Sequence, residues 1–335
     1  MKKMALITLH SVKNYGSILQ TYATQKYFEK LGYKVTVIDF RRPWETPLGY
    51  WIYLNDKSIK GILRNIMYFP SKIIQYFRFN DFLKKRINLS RKLYRNSEDF
   101  INAPVIADVY CTGSDQVWNS GWNEGIIPEY FLEFVKNSRN RKKISFAASF
   151  GSSVISKCEL NKLKSYLEDY DLITVREKKS EVMLKTALGL EALEILDPTL
   201  QMEPQFWKDL CKKERYLTKK YILLIQLNRN HEFDHIAIDF AKRKNHMLVR
   251  LCLRVDQIFL PGHSVVIPKV EDYIRLIRDA EYVLTDSFHA ISFCLNLNKQ
   301  FYCFYPLKYS ERLKSILQLM ELEKQIIKKS GDYIE

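Results

Sequence analysis

A polar cluster that could handle an anion follows an apolar strand signal near residue 285. Residues 282–284 (Tyr-Val-Leu) lead into residues 285–289 (Thr-Asp-Ser-Phe-His), and the apolar run after them predicts a helix. In a parallel sheet, ligands bind beyond the carboxyl ends of the strands, and a helix N-terminus offers free N–H groups to an anion. We predict His289 as a general acid, because imidazole changes its charge near neutral pH. The alternative is that His289 only caps its own turn.

Arg176 and Ser180 form a second candidate for anion binding. Arg176 ends a strand signal and Ser180 lies four residues later, so one helical turn can direct both toward the same anion. The planar guanidinium suits a bidentate grip on carboxylate or phosphate. The alternative is a surface ion pair with Glu177 or Asp169.

Strand and helix signals alternate along the chain, which predicts parallel α/β sheets. The predicted strands cover 5–10, 34–40, 105–111, 143–150, 172–176, 221–227, 247–253, 265–267, 282–286 and 301–305. The predicted helices cover 16–31, 159–169, 177–187, 231–243, 270–279, 287–297 and 310–319. We therefore expect two Rossmann-like, doubly wound domains, 1–200 and 201–335, facing each other across a cleft.

Composition narrows the class of protein. With 335 residues, 47% of them hydrophobic and 27% charged, the chain reads as an ordinary folded protein. The six cysteines are far apart and form no C-x-x-C pair, which favours reduced thiols in the cytoplasm. His231 and His235 are four residues apart but have no third ligand, so no metal site is expected. No apolar run approaches the roughly 20 residues of a membrane span.

The net charge of +15 is concentrated in an aromatic insert at about 49–95, which we assign to the N-terminal domain. Residues 57–95 hold eleven Lys or Arg and one acid, and so supply +10 of that charge. Apolar residues at helical spacing from Ile59 to Phe77 predict a helix lying on an anionic membrane surface. The alternative is that this stripe is core and the cations are a solvated face. Nucleic-acid binding is not expected, because no recognition fold accompanies the charge.

Six short motifs occur in a fixed order along nearly the whole chain. They are residues 14–20 (NYGSILQ), 113–119 (GSDQVWN), 144–151 (ISFAASFG), 175–180 (VREKKS), 196–199 (LDPT) and 285–289 (TDSFH). Together they closely resemble the polysaccharide pyruvyl transferase family. The resemblance implies a glycosyltransferase-B (GT-B) fold and transfer of pyruvate from phosphoenolpyruvate to a cell-surface sugar, usually as a cyclic ketal, without a further cofactor.

The resemblance also implies roles for individual residues. His289 would be the acid and Asp115 the base. The donor-binding residues would be Arg176, Ser180, Asp286, Ser287 and Phe288. The acceptor-binding residues would be Asn14, Gly16, Gln116 and Trp118, the last as a platform for a sugar ring.

Each of these roles has a plainer alternative. Asp115 could form an Asx-turn over a packed tryptophan. Asn14 could simply cap a helix, with Gly16 permitting the turn. Asp286 and Ser287 could hold the His289 turn without touching the donor.

Two features depart from the family pattern. Ala290 follows His289, where the family usually has glycine, and the chain ends at Glu335, soon after its last predicted helix. The C-terminal helix that often crosses back to the first domain in this fold is therefore expected to be short or absent.

The expected acceptor is a galactose-type residue of a repeat unit linked to polyprenyl diphosphate, in capsule or exopolysaccharide synthesis. This places the protein at the cytoplasmic face of the plasma membrane as a peripheral protein. The alternatives are a nucleotide-sugar glycosyltransferase of the same architecture and a non-catalytic membrane-bound assembly scaffold. The oligomeric state stays open.

Overall fold

The computed structural model describes residues 1–52, 58–135, 141–151, 155–305 and 310–327. The strands are β1 (Lys3–Ile7), β2 (Lys34–Phe40), β3 (Leu89–Tyr94), β4 (Val109–Thr112), β5 (Lys142–Ser145), β6 (Thr174–Val175), β7 (Leu193–Glu194), β8 (Tyr221–Ile225), β9 (Met247–Cys252), β10 (His263–Val266), β11 (Tyr282–Thr285), β12 (Gln300–Phe304) and β13 (Ile326–Ile327). The α-helices are α1 (Tyr15–Lys30), α2 (Gly49–Ile52), α3 (Ile59–Arg86), α4 (Ser97–Asn102), α5 (Ser120–Asn123), α6 (Lys157–Leu167), α7 (Lys178–Met183), α8 (Pro198–Gln201), α9 (Pro204–Leu210), α10 (His231–Arg243), α11 (Val270–Asp279), α12 (Phe288–Asn296) and α13 (Ser310–Leu319).

These elements form two compact units. Unit 1 comprises the described residues of Met1–Tyr53 and Leu83–Gln201, and unit 2 those of Leu54–Phe82 and Met202–Glu335. The expectation that the C-terminal crossing helix is short or absent stays untested, because residues 328–335 lie outside the described residues. No helix in the described part of the chain is long and apolar enough to cross a membrane.

Unit 1 is built on a parallel sheet with the strand order β3-β2-β1-β4-β5. The chain runs from β1 outward to β2 and β3, and later places β4 on the other side of β1. The strand order therefore reverses between β1 and β4, and the connections after these two strands diverge. Such a topological switch point at the carboxyl edge is where doubly wound sheets bind ligands.

A glycine allows the two strands at this point to lie close together. A β-carbon at Gly113, directly after β4, would lie 2.9 Å from Cβ of Thr8, directly after β1. Real β-carbons do not approach that closely, so a larger residue would push the two strand ends apart. The hydroxyl of Thr8 also donates a hydrogen bond to the carbonyl of Ser114, over 2.9 Å.

Unit 2 repeats the same architecture. Its parallel sheet has the strand order β10-β9-β8-β11-β12-β13, with the reversal between β8 and β11. The five residues of β8 are all buried, as expected for a strand covered on both faces. Both units are thus Rossmann-like α/β domains, which confirms the predicted fold class.

The basic insert is organised differently from the expectation. Its main element, α3, is one helix that continues through Pro70, and its part up to Phe82 belongs to unit 2. We expected the whole insert to lie in the N-terminal domain. The physical reason for the difference is that the Ser71 hydroxyl accepts a hydrogen bond from the backbone N–H of Val255 and the Gln75 side chain donates one to the carbonyl of Leu253. The end of the insert forms β3, an edge strand that was not predicted.

We predict that the core of unit 2 depends on Phe240 of α10. This ring is fully buried and lies edge-on to Tyr282 and Tyr302. Phe240→Ala should lower the free energy of unfolding by about 3–5 kcal/mol, because it leaves a cavity in a close-packed core. Phe259 is 86% exposed, and Phe259→Ala should change that free energy by less than about 0.5 kcal/mol. Urea unfolding of both variants checks this, and equal losses would contradict it.

Candidate functional site

In unit 2, the predicted acid lies at the start of a helix that leaves the switch point. Ser287 is the N-cap of α12, and its side chain accepts a hydrogen bond from the backbone N–H of Ala290, over 3.4 Å. The backbone N–H of Ser287 in turn donates to the hydroxyl of Thr285, over 3.0 Å. His289 is therefore the second residue of α12, where a helix carries free N–H groups and partial positive charge.

Asp286 joins the two loops that diverge at this switch point. Its carboxylate accepts hydrogen bonds from the backbone N–H groups of Leu227 and Asn228, over 2.6 and 2.8 Å, and from the amide side chain of Asn228. These residues follow β8, whereas Asp286 follows β11. Burial raises the pKa of Asp286, although the three hydrogen bonds act in the opposite direction. The alternative role for Asp286 was to hold the His289 turn, and these hydrogen bonds join that turn to the loop after β8. The predicted contact of Asp286 with the donor stays a prediction.

The residues beside Asp286 are also buried. Phe288, His289 and Ser287 are each less than a tenth exposed, and the rings of Phe288 and His289 meet edge-on at 5.2 Å between centroids. Unit 2 thus brings together four of the predicted residues, 286–289, on one strand-to-helix connection. A buried imidazole at a helix start is suited to giving a proton to a substrate held by that helix end.

In unit 1, Asn14 caps α1 and Ser17 links that helix to Asp115. The Asn14 side chain accepts hydrogen bonds from the backbone N–H groups of Gly16 and Ser17, over 2.8 and 3.3 Å. The Ser17 hydroxyl donates to the Asp115 carboxylate over 2.5 Å. Because α1 follows β1 and Asp115 follows β4, this bond spans the switch point of unit 1. Asp115 also has a positive φ of 72°, so the turn holds it in a conformation that most residues avoid.

Arg176 lies in a buried group of carboxylates. Its guanidinium donates to Asp197 over 2.8 Å and to Glu177 over 3.2 Å, and lies 3.9 Å from Asp115. Burial disfavours the charge of Arg176, but these three carboxylates outweigh burial and raise its pKa. Asp197 also accepts hydrogen bonds from the hydroxyls of Ser114 and Thr199.

This arrangement changes the interpretation of Arg176. A donor anion at this guanidinium would join three negative groups that already surround it, so its contacts favour a role in positioning Asp115. The plainer alternative was a surface ion pair of Arg176 with Glu177 or Asp169. The pair with Glu177 is present, but the Arg176 guanidinium in it is buried. The Ser180 hydroxyl lies 3.5 Å from the Glu177 carboxylate. Arg176 and Ser180 therefore both form a hydrogen bond with Glu177. The donor-binding roles of Arg176 and Ser180 stay predictions.

Trp118 was predicted to be a platform for a sugar ring, and its position corrects that interpretation. The indole is 3% exposed and stacks on Phe131, with ring centroids 5.4 Å apart. Its N–H donates to the backbone carbonyl of Tyr130, over 3.1 Å. A tryptophan packed this way supports the loop and has no open face for a sugar. Gln116 accepts a hydrogen bond from Asn119 over 2.6 Å and is partly exposed.

Charged and polar groups that were not predicted as site residues lie beside the loop that follows β1. His10 is buried, and its Nε2 lies 3.0 Å from the carboxylate of Asp39, which also pairs with Arg41. Burial alone would raise the pKa of Asp39, but the hydrogen bonds and charges of His10 and Arg41 lower it to about 2. The pKa of Lys13 is lowered to about 8 by burial and by the nearby charge of Arg41. The available signal was that Lys13 directly precedes the motif at Asn14 and that His10 lies four residues before it.

The described residues hold no group of three or more His, Cys, Asp or Glu side chains that could bind a metal ion. The expectation that the reaction uses no metal or cofactor stays a prediction.

Comparison with known proteins places the chain among enzymes of similar fold. Residues 14–307 match the sequence model of the family described as Polysaccharide pyruvyl transferase. A search of curated proteins gave no significant match.

Two solved structures illustrate the similarity of fold. The UDP-N-acetylglucosamine 2-epimerase from Rickettsia bellii matches with a TM-score of 0.54 and 13% identity, covering 99% of this chain and 85% of the epimerase. The S. aureus MnaA–UDP co-structure matches with a TM-score of 0.50 and 12% identity, covering 100% of this chain and 93% of that one. At this identity the likeness shows the fold alone, which is the GT-B fold that the resemblance implied.

We predict that Asp286 holds the loop after β8. Asp286→Asn leaves one oxygen to accept hydrogen bonds from three donors, so an N–H of Leu227 or Asn228 loses its hydrogen bond to a charged group, at a cost of about 1.5–3 kcal/mol. Hydrogen exchange of these two backbone amides should accelerate by about tenfold or more. Asp239→Asn, on the solvent side of α10, should leave their exchange unchanged. Unchanged exchange in Asp286→Asn would contradict the assignment.

We predict an acid-dependent contribution from Asp39. Because its pKa is lower in the folded protein than the ordinary 3.8, the carboxylate stabilises the fold above about pH 4, and this contribution is lost as the pH falls toward 2. At neutral pH it amounts to about 2 kcal/mol. The difference in unfolding free energy between wild type and Asp39→Asn, measured in urea, should therefore shrink below about pH 4. A difference independent of pH would be incompatible with the ion pairs.

Proposed function

The chain belongs to the polysaccharide pyruvyl transferase family, and on that premise we propose that it transfers the pyruvyl group of phosphoenolpyruvate to two hydroxyls of one sugar, as a cyclic ketal. The observation that carries the proposal is His289 at the start of α12, beside the switch point of unit 2. Glycosyl transfer from a nucleotide sugar, the alternative reaction for this fold, has no step in which an acid protonates a methylene carbon.

The chemistry requires one proton donor and two oxygen nucleophiles. The enol methylene carbon of phosphoenolpyruvate gains a proton and becomes a methyl group, and the neighbouring carbon then accepts one sugar hydroxyl. The bond from this carbon to the phosphate oxygen breaks, and a second sugar hydroxyl takes the vacated position. Of the two hydroxyl protons released, one balances the proton given to the methylene carbon and the other leaves with inorganic phosphate.

Unit 2 has the features that the donor needs. Phosphoenolpyruvate carries a phosphate and a carboxylate, and the free N–H groups at the start of α12 favour an anion. His289 lies in that first turn, where an anion would also favour the protonated imidazole. We assign His289 the role of acid, and assign Ser287 and Phe288 to the donor site. Asp286 supports this site by holding the neighbouring loop.

We assign acceptor recognition to unit 1. The pair of Ser17 and Asp115 offers a carboxylate that can accept a proton from a sugar hydroxyl, and Arg176 holds that carboxylate from 3.9 Å away. Asn14 is exposed beside it, and its backbone and the start of α1 lie at the carboxyl edge of the sheet. Asn14, Gly16 and Gln116 remain the candidates for contacts to the sugar.

The acceptor we propose is a galactose-type sugar carried on polyprenyl diphosphate, as part of a capsule or exopolysaccharide repeat unit. The proposed reaction needs no cofactor beyond phosphoenolpyruvate. A cytoplasmic location follows from this acceptor and donor, because phosphoenolpyruvate is a cytoplasmic metabolite and lipid-linked repeat units are built at that face of the membrane.

We predict that replacing His289 removes the transfer. A synthetic lipid-linked galactoside incubated with phosphoenolpyruvate and enzyme should gain one ketal-linked pyruvyl group, detected by mass spectrometry. His289→Ala should lower the rate by about 100-fold or more, because general acid catalysis contributes that much. His235→Ala, an exposed histidine of α10, serves as the matched control and should keep the wild-type rate.

Two results would count against the proposal. One is an intact donor with no product, together with stabilisation of the protein by a nucleoside diphosphate, which would favour a nucleotide-sugar glycosyltransferase. The other is a wild-type rate in His289→Ala, which would remove His289 from the reaction.

A further inference from the structure

Helix α3 exposes an apolar stripe along most of its length. The large apolar side chains of this stripe are each 37–79% exposed; they are Ile59, Ile62, Leu63, Ile66, Met67, Phe69, Ile73 and Phe77. Most of them recur three or four residues apart, which places them on one side of the helix. An exposed apolar surface of this extent marks an interaction site in most soluble proteins.

The opposite side of the same helix is the one that packs on unit 2. The Ser71 hydroxyl accepts a hydrogen bond from the backbone N–H of Val255, over 2.9 Å, and the Gln75 side chain donates to the carbonyl of Leu253, over 3.0 Å. The Arg254 guanidinium lies 4.6 Å from the centre of the Tyr68 ring. A surface helix normally turns its apolar side to the core. Here polar contacts fix the helix and the apolar side faces outward, so the alternative that the stripe is core is wrong.

The charge of this helix is strongly one-sided. Residues 59–86 hold seven Lys or Arg and one acid, Asp81. Lys60 and Arg64, both exposed, lie in the same turns as Ile59, Ile62 and Leu63. Long cationic side chains beside an apolar stripe can extend toward negative groups while their stems cover apolar surface.

We propose that the outward side of α3 binds the surface of an anionic lipid bilayer. A bilayer offers an apolar interior for the apolar stripe and negative head groups for the cations beside it. A second copy of this chain fits less well, because pairing the same face in a dimer would bring two sets of cations together. The part of the helix in unit 2, residues 59–82, is about 36 Å long, so it offers enough length to lie flat in the interface.

The proposal goes beyond the reaction and does not depend on it. If the acceptor is lipid-linked, as proposed above, this surface would also bring the enzyme to its substrate. Binding to lipid is measured without donor or sugar, so a failure of membrane binding and a failure of pyruvyl transfer are separate results.

The test is flotation of the full chain with vesicles. One set contains phosphatidylcholine and phosphatidylglycerol, and the other contains phosphatidylcholine alone. We expect binding to the anionic vesicles that weakens as salt is raised, and much weaker binding to the neutral ones. Ile66→Ser should weaken binding about tenfold, because an exposed isoleucine would no longer enter the apolar layer. Lys60→Gln should weaken binding to anionic vesicles about fivefold.

The matched control is Ile106→Ser. Ile106 is 71% exposed and Ile66 is 64% exposed, but Ile106 belongs to unit 1 and lies outside α3. Neither substitution disturbs the core, which thermal unfolding of both variants verifies. The proposal is overturned if the wild type fails to float with anionic vesicles even at low salt, or if Ile106→Ser weakens binding as much as Ile66→Ser. It is also overturned if the chain forms a dimer that Ile66→Ser dissociates while no vesicle binding is seen.

Discussion

When the first strand of a parallel sheet lies in its centre, later strands lie on both sides of it. The connections that leave the carboxyl ends of the central strands then run in opposite directions. Both units of this protein are built this way, with the reversal between β1 and β4 in unit 1 and between β8 and β11 in unit 2. The divergent loops need cross-links to hold their shape. In unit 1 the cross-link is the hydrogen bond between Ser17 and Asp115. In unit 2 it consists of the hydrogen bonds that Asp286 accepts from the backbone of Leu227 and Asn228. The candidate chemistry of each unit lies beside its cross-link.

The two cross-links differ in their electrostatic surroundings, and this difference separates the roles proposed for the units. Asp115 lies in a buried group with Arg176, Glu177 and Asp197, where one cation serves three carboxylates. That environment favours a proton acceptor over a second anion. His289 instead lies in the first turn of a helix, where partial positive charge favours an anion. An anionic donor in unit 2 and a neutral sugar in unit 1 match these surroundings.

Much of the fold could be predicted from the sequence because periodicity and capping residues agree. Helices α10, α11 and α13 occupy the predicted ranges, and α10 begins after its N-cap Asn230. Strand β3 was missed because an edge strand tolerates the charged residues Arg91 and Lys92, which hide the apolar alternation of its sequence.

The limits of sequence-based prediction at the site are also physical. Motif order shows which residues follow each strand, but not what their side chains contact. Periodicity shows which side chains of α3 share a side but not which way that side faces, since the contacts of Ser71 and Gln75 with residues 253–255 decide it. Likewise, a tryptophan in a turn signals either a sugar platform or packing. The burial of Trp118 and its stacking on Phe131 identify it as a packing residue.

We propose that an acid of this protein protonates the methylene carbon of phosphoenolpyruvate during transfer to a sugar. The most direct measurement is to run the reaction in deuterium oxide and examine the methyl group of the product by mass spectrometry and NMR. We expect a ketal whose methyl group carries one deuterium from the solvent. A ketal without deuterium, or phosphoenolpyruvate left intact beside an unmodified sugar, would contradict it.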